Sequence, residues 1–535
     1  MCRLETSPPR CSALELFRAP LTWSWAADSL GAMATSNDVS AGFRVRAHPH
    51  LYEINTRTWL EQLSAQHKQI ITLADVPDPE WDALAKLGFN IIWLMGVWKR
   101  SEQSRRMNLE NPANFQQFDR ALPGWKPDDV ISSPYAVAGY VPDVRIGTWD
   151  SLDAAREKLR ARGMALFLDF VGNHTALDHP WMREHPEFYV QAGQQDFEQN
   201  PSLYYQLKTP QGTRFIALAK DPYYAPWIDV AQLNHFNPGM RAAQLAELRT
   251  IANHCDGVRC DMAMLQLNDI FASIWQHLLG STQPPTKEFW TEARANVPTL
   301  VLLAEAYWGT EQRLLNLGFS FAYDKTLYDA VRDINLQQVR ARLAGSTEQQ
   351  SHFARFMENH DEPRRPEVFD NERLGTDGTL MGTLPGMRFY HQGELEGCRI
   401  RLPITLRIAA NEPPDPPSVA FFQKILQITQ RDVFHEGEWK FLELAPEGDA
   451  PPDGLIVYEW RSAKSWTIIA ANLTGSAAQG RLRLGDCVSS AQQYILYDEL
   501  NDVKYSRSGE ELHNVGLFIR REAFQAHIFN IMAAP

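Results

Sequence analysis

Between about residues 50 and 400, short apolar stretches alternate with amphipathic helical ones, which restricts the chain to a parallel sheet whose strands are joined by helices. Strands are predicted at 51–56, 89–94, 164–170, 256–261, 300–305, 319–323, 353–358 and 387–390. Eight such strands with crossover helices favour closure into a barrel. The helices carry their own punctuation. Asp78 and Pro79 open one whose apolar face is Trp81, Leu84 and Leu87, and Gly88 stops it. Thr148 caps another with Leu152, Ala155 and Leu159 on one face, and Gly163 ends it before the next strand.

Two connections, 96–147 and 175–238, exceed the usual few residues and point to function. The second is rich in aromatics: Trp181, Phe188, Tyr189, Tyr204, Tyr205, Tyr223, Tyr224 and Trp227. They suit either stacking on sugar rings or packing an inserted subdomain. After about 440 the pattern becomes alternating strands, 454–461, 466–472 and 494–497 among them, with turns and no helical stretch. The expected organisation is a disordered extension over 1–45, a barrel over 46–440 with an inserted domain at about 175–238, and an all-β domain over 441–535.

Charge and cysteine content narrow the function classes. Net charge is -13 with no long basic block, which disfavours nucleic acid as a partner. No apolar run reaches the roughly 18 residues of a membrane span, so no membrane partner is expected. The first residues mix prolines with Glu5 and Glu15 and lack the pattern of a secretory leader. Six cysteines, at 2, 11, 255, 260, 398 and 487, are too sparse for a disulfide framework, and a cytoplasmic, reducing location fits best. A nucleotide-dependent enzyme is disfavoured because no phosphate-binding G-x-x-x-x-G-K-[ST] loop is present.

Four segments place polar groups at the carboxyl ends of predicted strands, where a barrel keeps its active site. In Asp256-Gly257-Val258-Arg259-Cys260-Asp261 the period of two puts Arg259 and Asp261 on one face. The guanidinium favours an ionised Asp261, suited to nucleophilic attack, whereas a structural ion pair is the plainer alternative. In 300–305 apolar residues deliver Glu305 to the strand's open end beside Tyr307 and Trp308. An apolar surround raises a carboxyl pKa, as a general acid needs; an exposed loop Glu is the alternative. In Glu358-Asn359-His360-Asp361, Asp361 is either a third site carboxylate or a helix cap ahead of Pro363. The stretch 168–174 offers Asp169, Asn173 and His174 around Gly172. Nucleophile, proton donor and third carboxylate together suit displacement at an anomeric carbon.

These ordered segments resemble the motifs of glycoside hydrolase family 13, the α-amylase family, over about 50–535. The stretch from Asp169 to His174 resembles its first motif, Gly257 to Asp261 its second, Glu305 its third and Asn359-His360-Asp361 its fourth. The resemblance implies a (β/α)8 TIM barrel with an inserted domain after the third strand and a C-terminal antiparallel β-domain. It implies a retaining α-glycosidase that hydrolyses α-glucosidic bonds of oligo- or polysaccharides, with Asp261 as nucleophile, Glu305 as acid/base and Asp361 as transition-state stabiliser. Arg259, His174, His360 and the stacking Tyr135 would surround the sugar, with Asp169 and Asn173 in support. Gln232-Leu233-Asn234 resembles a motif near the end of the inserted domain and receives no catalytic role. An α-glucan transglycosylase would use the same intermediate, and a noncatalytic carbohydrate-binding protein would use the same frame. No cofactor or catalytic metal is implied; part of the family binds calcium, but no local carboxylate cluster marks a site here. The match departs from common family residues at Gly96, Ser132, Met264, Leu265 and Arg388.

Overall fold

The computed structural model describes residues 45–534, and the extension expected over 1–45 lies almost wholly outside the described residues. Eight strands form a closed parallel barrel: β1 (His50–Asn55), β2 (Ile91–Met95), β3 (Ala165–Phe170), β4 (Gly257–Cys260), β5 (Val301–Ala304), β6 (Phe321–Tyr323), β7 (Phe353–Arg355) and β8 (Met387–His391). They follow one another around the barrel in chain order, β8 closing on β1 through the register Leu51↔Phe389. Strands such as β2 and β3 are buried along their whole length, as expected when helices cover one face and the barrel interior fills the other.

Local chemistry sets the helix ends. The helix Asp78–Lys86 carries proline in its first turn, buries Trp81 and yields to Gly88 at φ 89°. Thr148 accepts the backbone N–H of Ser151 to cap Trp149–Arg160, which buries Leu152, Ala155 and Leu159 against the barrel. Strands β6 and β7 are shorter than the sequence pattern predicts. Beyond Arg355 the chain remains buried, but Glu358 turns its carboxylate to Arg364 and the backbone N–H of Arg365, so side-chain pairing replaces the ladder.

The connection 96–147 holds the helices Glu102–Glu110 and Pro112–Ala121 and a short antiparallel pair, Trp98–Arg100 with Val137–Pro142. The connection from β3 to β4 carries a three-stranded antiparallel sheet, Gln191–Ala192, Tyr204–Thr209 and Gly212–Ala217, and a second pair, His174–Ala176 with Val230–Gln232. Of its aromatics, Phe188, Tyr189 and Tyr204 are buried, the first two packing the insertion, whereas Tyr223 and Tyr224 are exposed.

A six-stranded antiparallel sheet follows, in the order Glu438–Leu442, Leu455–Arg461, Trp466–Asn472, Ala526–Ala533, Gln493–Asp498 and Val503–Ser508. Ile456, Tyr458 and Trp460 on one face join the barrel's core, while Leu455, Val457 and Ile468 face a second core. The absence of helix expected in this region is corrected by Gly509–Asn514, where the Ser508 hydroxyl accepts from the N–H of Glu511 and Leu512 fills the second core.

Candidate active site

The barrel ladders run one residue past the ends of β4 and β5. Asp261 N–H donates to Phe170 O at 2.9 Å, and Glu305 N–H donates to Cys260 O at 3.1 Å. Two carboxyl groups are thereby fixed side by side at the C-terminal rim. Met262 then turns sharply with φ 42°, a conformation that bulky residues seldom adopt, and its N–H reaches Glu305 Oε2 at 2.5 Å. The turn thus uses backbone strain to hold the second carboxyl.

Arg259 projects from β4 with the parity the sequence predicts, and its guanidinium spans the site. Nη1 donates to Asp261 Oδ1 at 2.6 Å, and Nη2 lies 2.9 Å from Glu305 Oε1 and 3.8 Å from Asp361 Oδ2. The rings of Tyr135, Trp93 and Tyr323 enclose it at 5.1, 5.4 and 5.8 Å. Asp261 Oδ2 has no hydrogen-bond partner, and His174 Nε2 stands 4.0 Å away. One oxygen of Asp261 is therefore anchored and the other left unengaged.

Glu305 is buried, which rules out the exposed-loop alternative. Its Oε1 accepts from the Tyr307 hydroxyl at 2.9 Å. Burial pushes its pKa up to about 7 against the pull of Arg259, and the carboxylates of Asp261 and Asp361 add to the rise. Asp361 is the more open carboxyl, its side chain 40% exposed. The Asn359 side-chain oxygen accepts from the N–H groups of both Asp361 and Glu362 at 2.9 Å, which orients the turn. Asp361 does not cap a helix: the next one, Arg365–Val368, has Arg364 at its cap. Against the enclosure of the site, His360 and Arg259 hold Asp361 well below the usual carboxylate range.

His360 lies between two carboxylates, Nε2 at 2.9 Å from Asp361 Oδ2 and Nδ1 at 2.5 Å from Glu53 Oε1. Burial alone would lower its pKa, but Asp361 and Glu53 raise it to about 10, so the ring is a cation near neutrality. Tyr135 stacks on it at 5.2 Å with its hydroxyl 2.8 Å from Nε2. His174 is the opposite case: burial lowers its pKa despite Asp261, which favours the neutral ring.

Asp169 and Asn173 stand behind the cavity wall. Asp169 accepts from Trp93 Nε1 at 3.0 Å and Gly96 N at 2.6 Å, and burial lifts its pKa to about 6 against those bonds. Asn173 is held by Gln232, whose Nε2 donates to Asn173 O at 3.0 Å and Oδ1 at 3.1 Å. Gln232 is paired opposite His174 in the ladder, so this residue positions the segment that bears Asn173 and His174. Tyr135, His174, Asp261, Glu305 and Asp361 line one cavity of about 340 Å³, together with Asp221, Trp227, Asp229, Met262 and Tyr307. All nine residues selected from the sequence thus meet in or immediately behind one cleft.

Sequence reasoning missed Glu53, whose signal was an acidic residue in the middle of a wholly buried strand, and gave Tyr307 no role; Trp227, one of the insertion's candidate aromatics, lines the cavity. Met264 and Leu265 are buried in a 3-10 turn. Among the described residues no three His, Cys, Asp or Glu side chains are grouped to hold a metal ion. No helix among them is long and apolar enough to cross a membrane.

A closed parallel barrel that gathers carboxyl groups at its C-terminal rim places the protein in the class of (β/α)8-barrel enzymes. The family description "Alpha amylase, catalytic domain" matches residues 80–400, and the chain belongs to the α-amylase family of glycoside hydrolases and related glycosyl-transferring enzymes. It is similar to Alpha-amylase 3 of Dictyoglomus thermophilum, with 25% identity over 277 residues, 46% of this chain and 50% of that protein. It is also similar to Alpha-amylase MalA of Haloarcula japonica, with 23% identity over 359 residues, 66% of this chain and 44% of that protein. The chain spans about half the length of these curated relatives. In fold it is similar to the maltogenic α-amylase AmyB of Thermotoga neapolitana, with a TM-score of 0.63 and 19% identity over 90% of this chain and 98% of that one.

Proposed function

We propose that this protein is a retaining α-glycosidase that hydrolyses α-glucosidic bonds of oligo- or polysaccharides by double displacement. The observation that carries this reading is the convergence of Asp261, Glu305 and Asp361 on one cavity, with Arg259 bridging the first two. Retaining enzymes hold nucleophile and acid/base about 5 to 5.5 Å apart, and a single guanidinium, hydrogen-bonded to Asp261 and ion-paired with Glu305 at 2.9 Å, keeps the two close together.

In the first step the unengaged oxygen of Asp261 forms a bond to the anomeric carbon as the glycosidic C–O bond breaks, and Glu305 gives its proton to the leaving oxygen. Buried against Tyr307 and lifted to about 7, Glu305 keeps that proton near neutrality. In the second step ionised Glu305 takes a proton from water, whose oxygen attacks the same carbon and releases Asp261. Asp361 and the cationic His360 bind sugar hydroxyls and favour the positively charged transition state through the carboxylate. Tyr135 supplies an apolar face and neutral His174 a further hydrogen-bonding group, while Asp169 and Asn173 hold their loops in place.

A specific observation favours transfer to a sugar as a second outcome of the same intermediate. Beside Glu305, Trp308 is 41% exposed at φ 60°, and its ring meets that of exposed Tyr223 edge-on at 5.1 Å. This pair offers an apolar platform to an acceptor sugar in competition with water. The test is incubation with maltooligosaccharides, glycogen, sucrose and trehalose, with and without acceptor, beside Asp261→Asn. Free sugar that disappears in the variant supports hydrolysis, and new oligosaccharides support transfer. Turnover retained in Asp261→Asn, or saccharide binding without turnover across the panel, would sink the enzymatic assignment.

A further inference from the structure

Three cavities meet along the loop that follows β8. Ile404 lines the carboxyl-bearing cavity, a second one beside His360, and a third of about 530 Å³ bounded by the helix Pro112–Ala121, Pro363 and residues 399–405. The third lies within the range of roughly 300–1,000 Å³ occupied by small-molecule sites. Its walls carry Arg120, Arg399 and Arg401, with Glu367 as the one carboxylate among them.

Among the described residues none of these three guanidiniums has a carboxylate within 4.0 Å. Their neighbours are differently placed: Arg364 is paired with Glu358, and Arg407 with Glu61 and Asp129. Glu412, on the adjoining cavity, directs its oxygens to the backbone N–H groups of Arg399 and Ile400. Three like charges around one cavity repel one another, and in a chain of net charge -13 acidic side chains were plentiful enough to pair them. Guanidinium groups also present the planar fork that matches phosphate and carboxylate oxygens. Arg401 is close enough to the reacting groups for its charge to act on Asp361.

We propose that this arginine-lined cavity is a subsite for an anionic group, a phosphate or a carboxylate, carried by the sugar whose reacting ring occupies the adjoining carboxyl-lined cavity. The proposal rests on the glycosidase reading for what fills that adjoining cavity. It makes the preferred substrate an α-glucoside bearing an acidic substituent rather than a neutral glucan alone.

The test is calorimetric titration of Asp261→Asn, which binds without turnover, at low and at high salt. The probes are maltotriose, maltotriose phosphorylated at the primary hydroxyl of its non-reducing glucose, the same trisaccharide ending in glucuronate, and inorganic phosphate. The phosphorylated or the glucuronate probe is expected to bind about tenfold or more tightly than neutral maltotriose at low salt. Which of the two gains identifies the anionic group. That advantage shrinks at high salt, because exposed charges are screened, and collapses when Arg399→Gln, Arg401→Gln or Arg120→Gln is added. Equal affinity for neutral and anionic sugars overturns the proposal. So does an advantage that survives all three substitutions, or inorganic phosphate binding as tightly as the phosphorylated sugar, which would separate the anion from the saccharide. If the wild-type protein turns over no glucoside while arginine-dependent affinity persists, the glycosidase reading fails and the anion subsite stands.

Discussion

Glu305 and His360 are held by their neighbours in protonation states that a solvent-exposed residue would not have at neutral pH. With Glu305 raised to about 7, the proton-donating form dominates below that value, so kcat/KM falls as pH rises through about 7. A pH profile with no descending limb near neutrality would contradict its assignment as the acid. His360 has its folded pKa raised to about 10 from an ordinary 6.5. The charged ring therefore stabilises the fold fully below 6.5, and that contribution is lost as pH rises through about 10. Glu53→Gln removes one of its two carboxylates, and the His360 midpoint, followed by nitrogen-edited NMR, should fall toward the ordinary value. The same change should cost about 3 kcal/mol in urea unfolding, the scale of breaking a buried ion pair. An unmoved midpoint would show that Asp361 alone holds the ring cationic.

At the scale of elements, β4 carries the heaviest constraint, because it delivers Arg259 and Asp261 while packing its first residue against β3. Gly257 sits opposite Phe167, and a Cβ there would come within 2.4 Å of two Phe167 ring carbons. Gly257→Ala is therefore expected to destabilise by about 1–3 kcal/mol and to lower turnover by shifting the strand. Adding Phe167→Leu should restore part of both, and a lone Gly257→Ala protein with wild-type stability would show that β4 is free to move. The existence of all eight strands, and the facing of Arg259 and Asp261, were legible because apolar runs and a period of two are local properties. The end of β7 was not, since Glu358 pairs with Arg364 beyond it, a choice that depends on side-chain pairing rather than on propensity, and β6 starts two residues later than its apolar pattern. The helix Gly509–Asn514 escaped notice for a similar reason: six residues are too few for a clear period, and its cap and Leu512 contact stabilise it in place.

In the whole molecule the C-terminal sheet and the barrel share one core. Trp460 is fully buried, its Nε1 donates to Thr383 O at 2.7 Å, and the Tyr458 hydroxyl lies 2.6 Å from Thr383 Oγ1. Calorimetry should therefore show a single transition for sheet and barrel together. Trp460→Ala should lower it by about 3–5 kcal/mol in stability, the usual loss for a buried aromatic. Two resolved transitions would instead mean that sheet and barrel unfold independently. The sequence by itself determined the alternation that makes a parallel barrel and the positions of Asp261 and Glu305 at strand ends, because period and strand polarity are carried by neighbouring residues; Asp361 stands six residues beyond β7, in a turn that the sequence pattern merges with the strand. Only the tertiary structure decided which groups meet: Glu53 with His360, Gln232 with Asn173, Arg259 across three carboxyls, and three arginines around one cavity. Those pairings join residues far apart in the chain, and their distances exist only once barrel closure and strand register bring the loops to one rim.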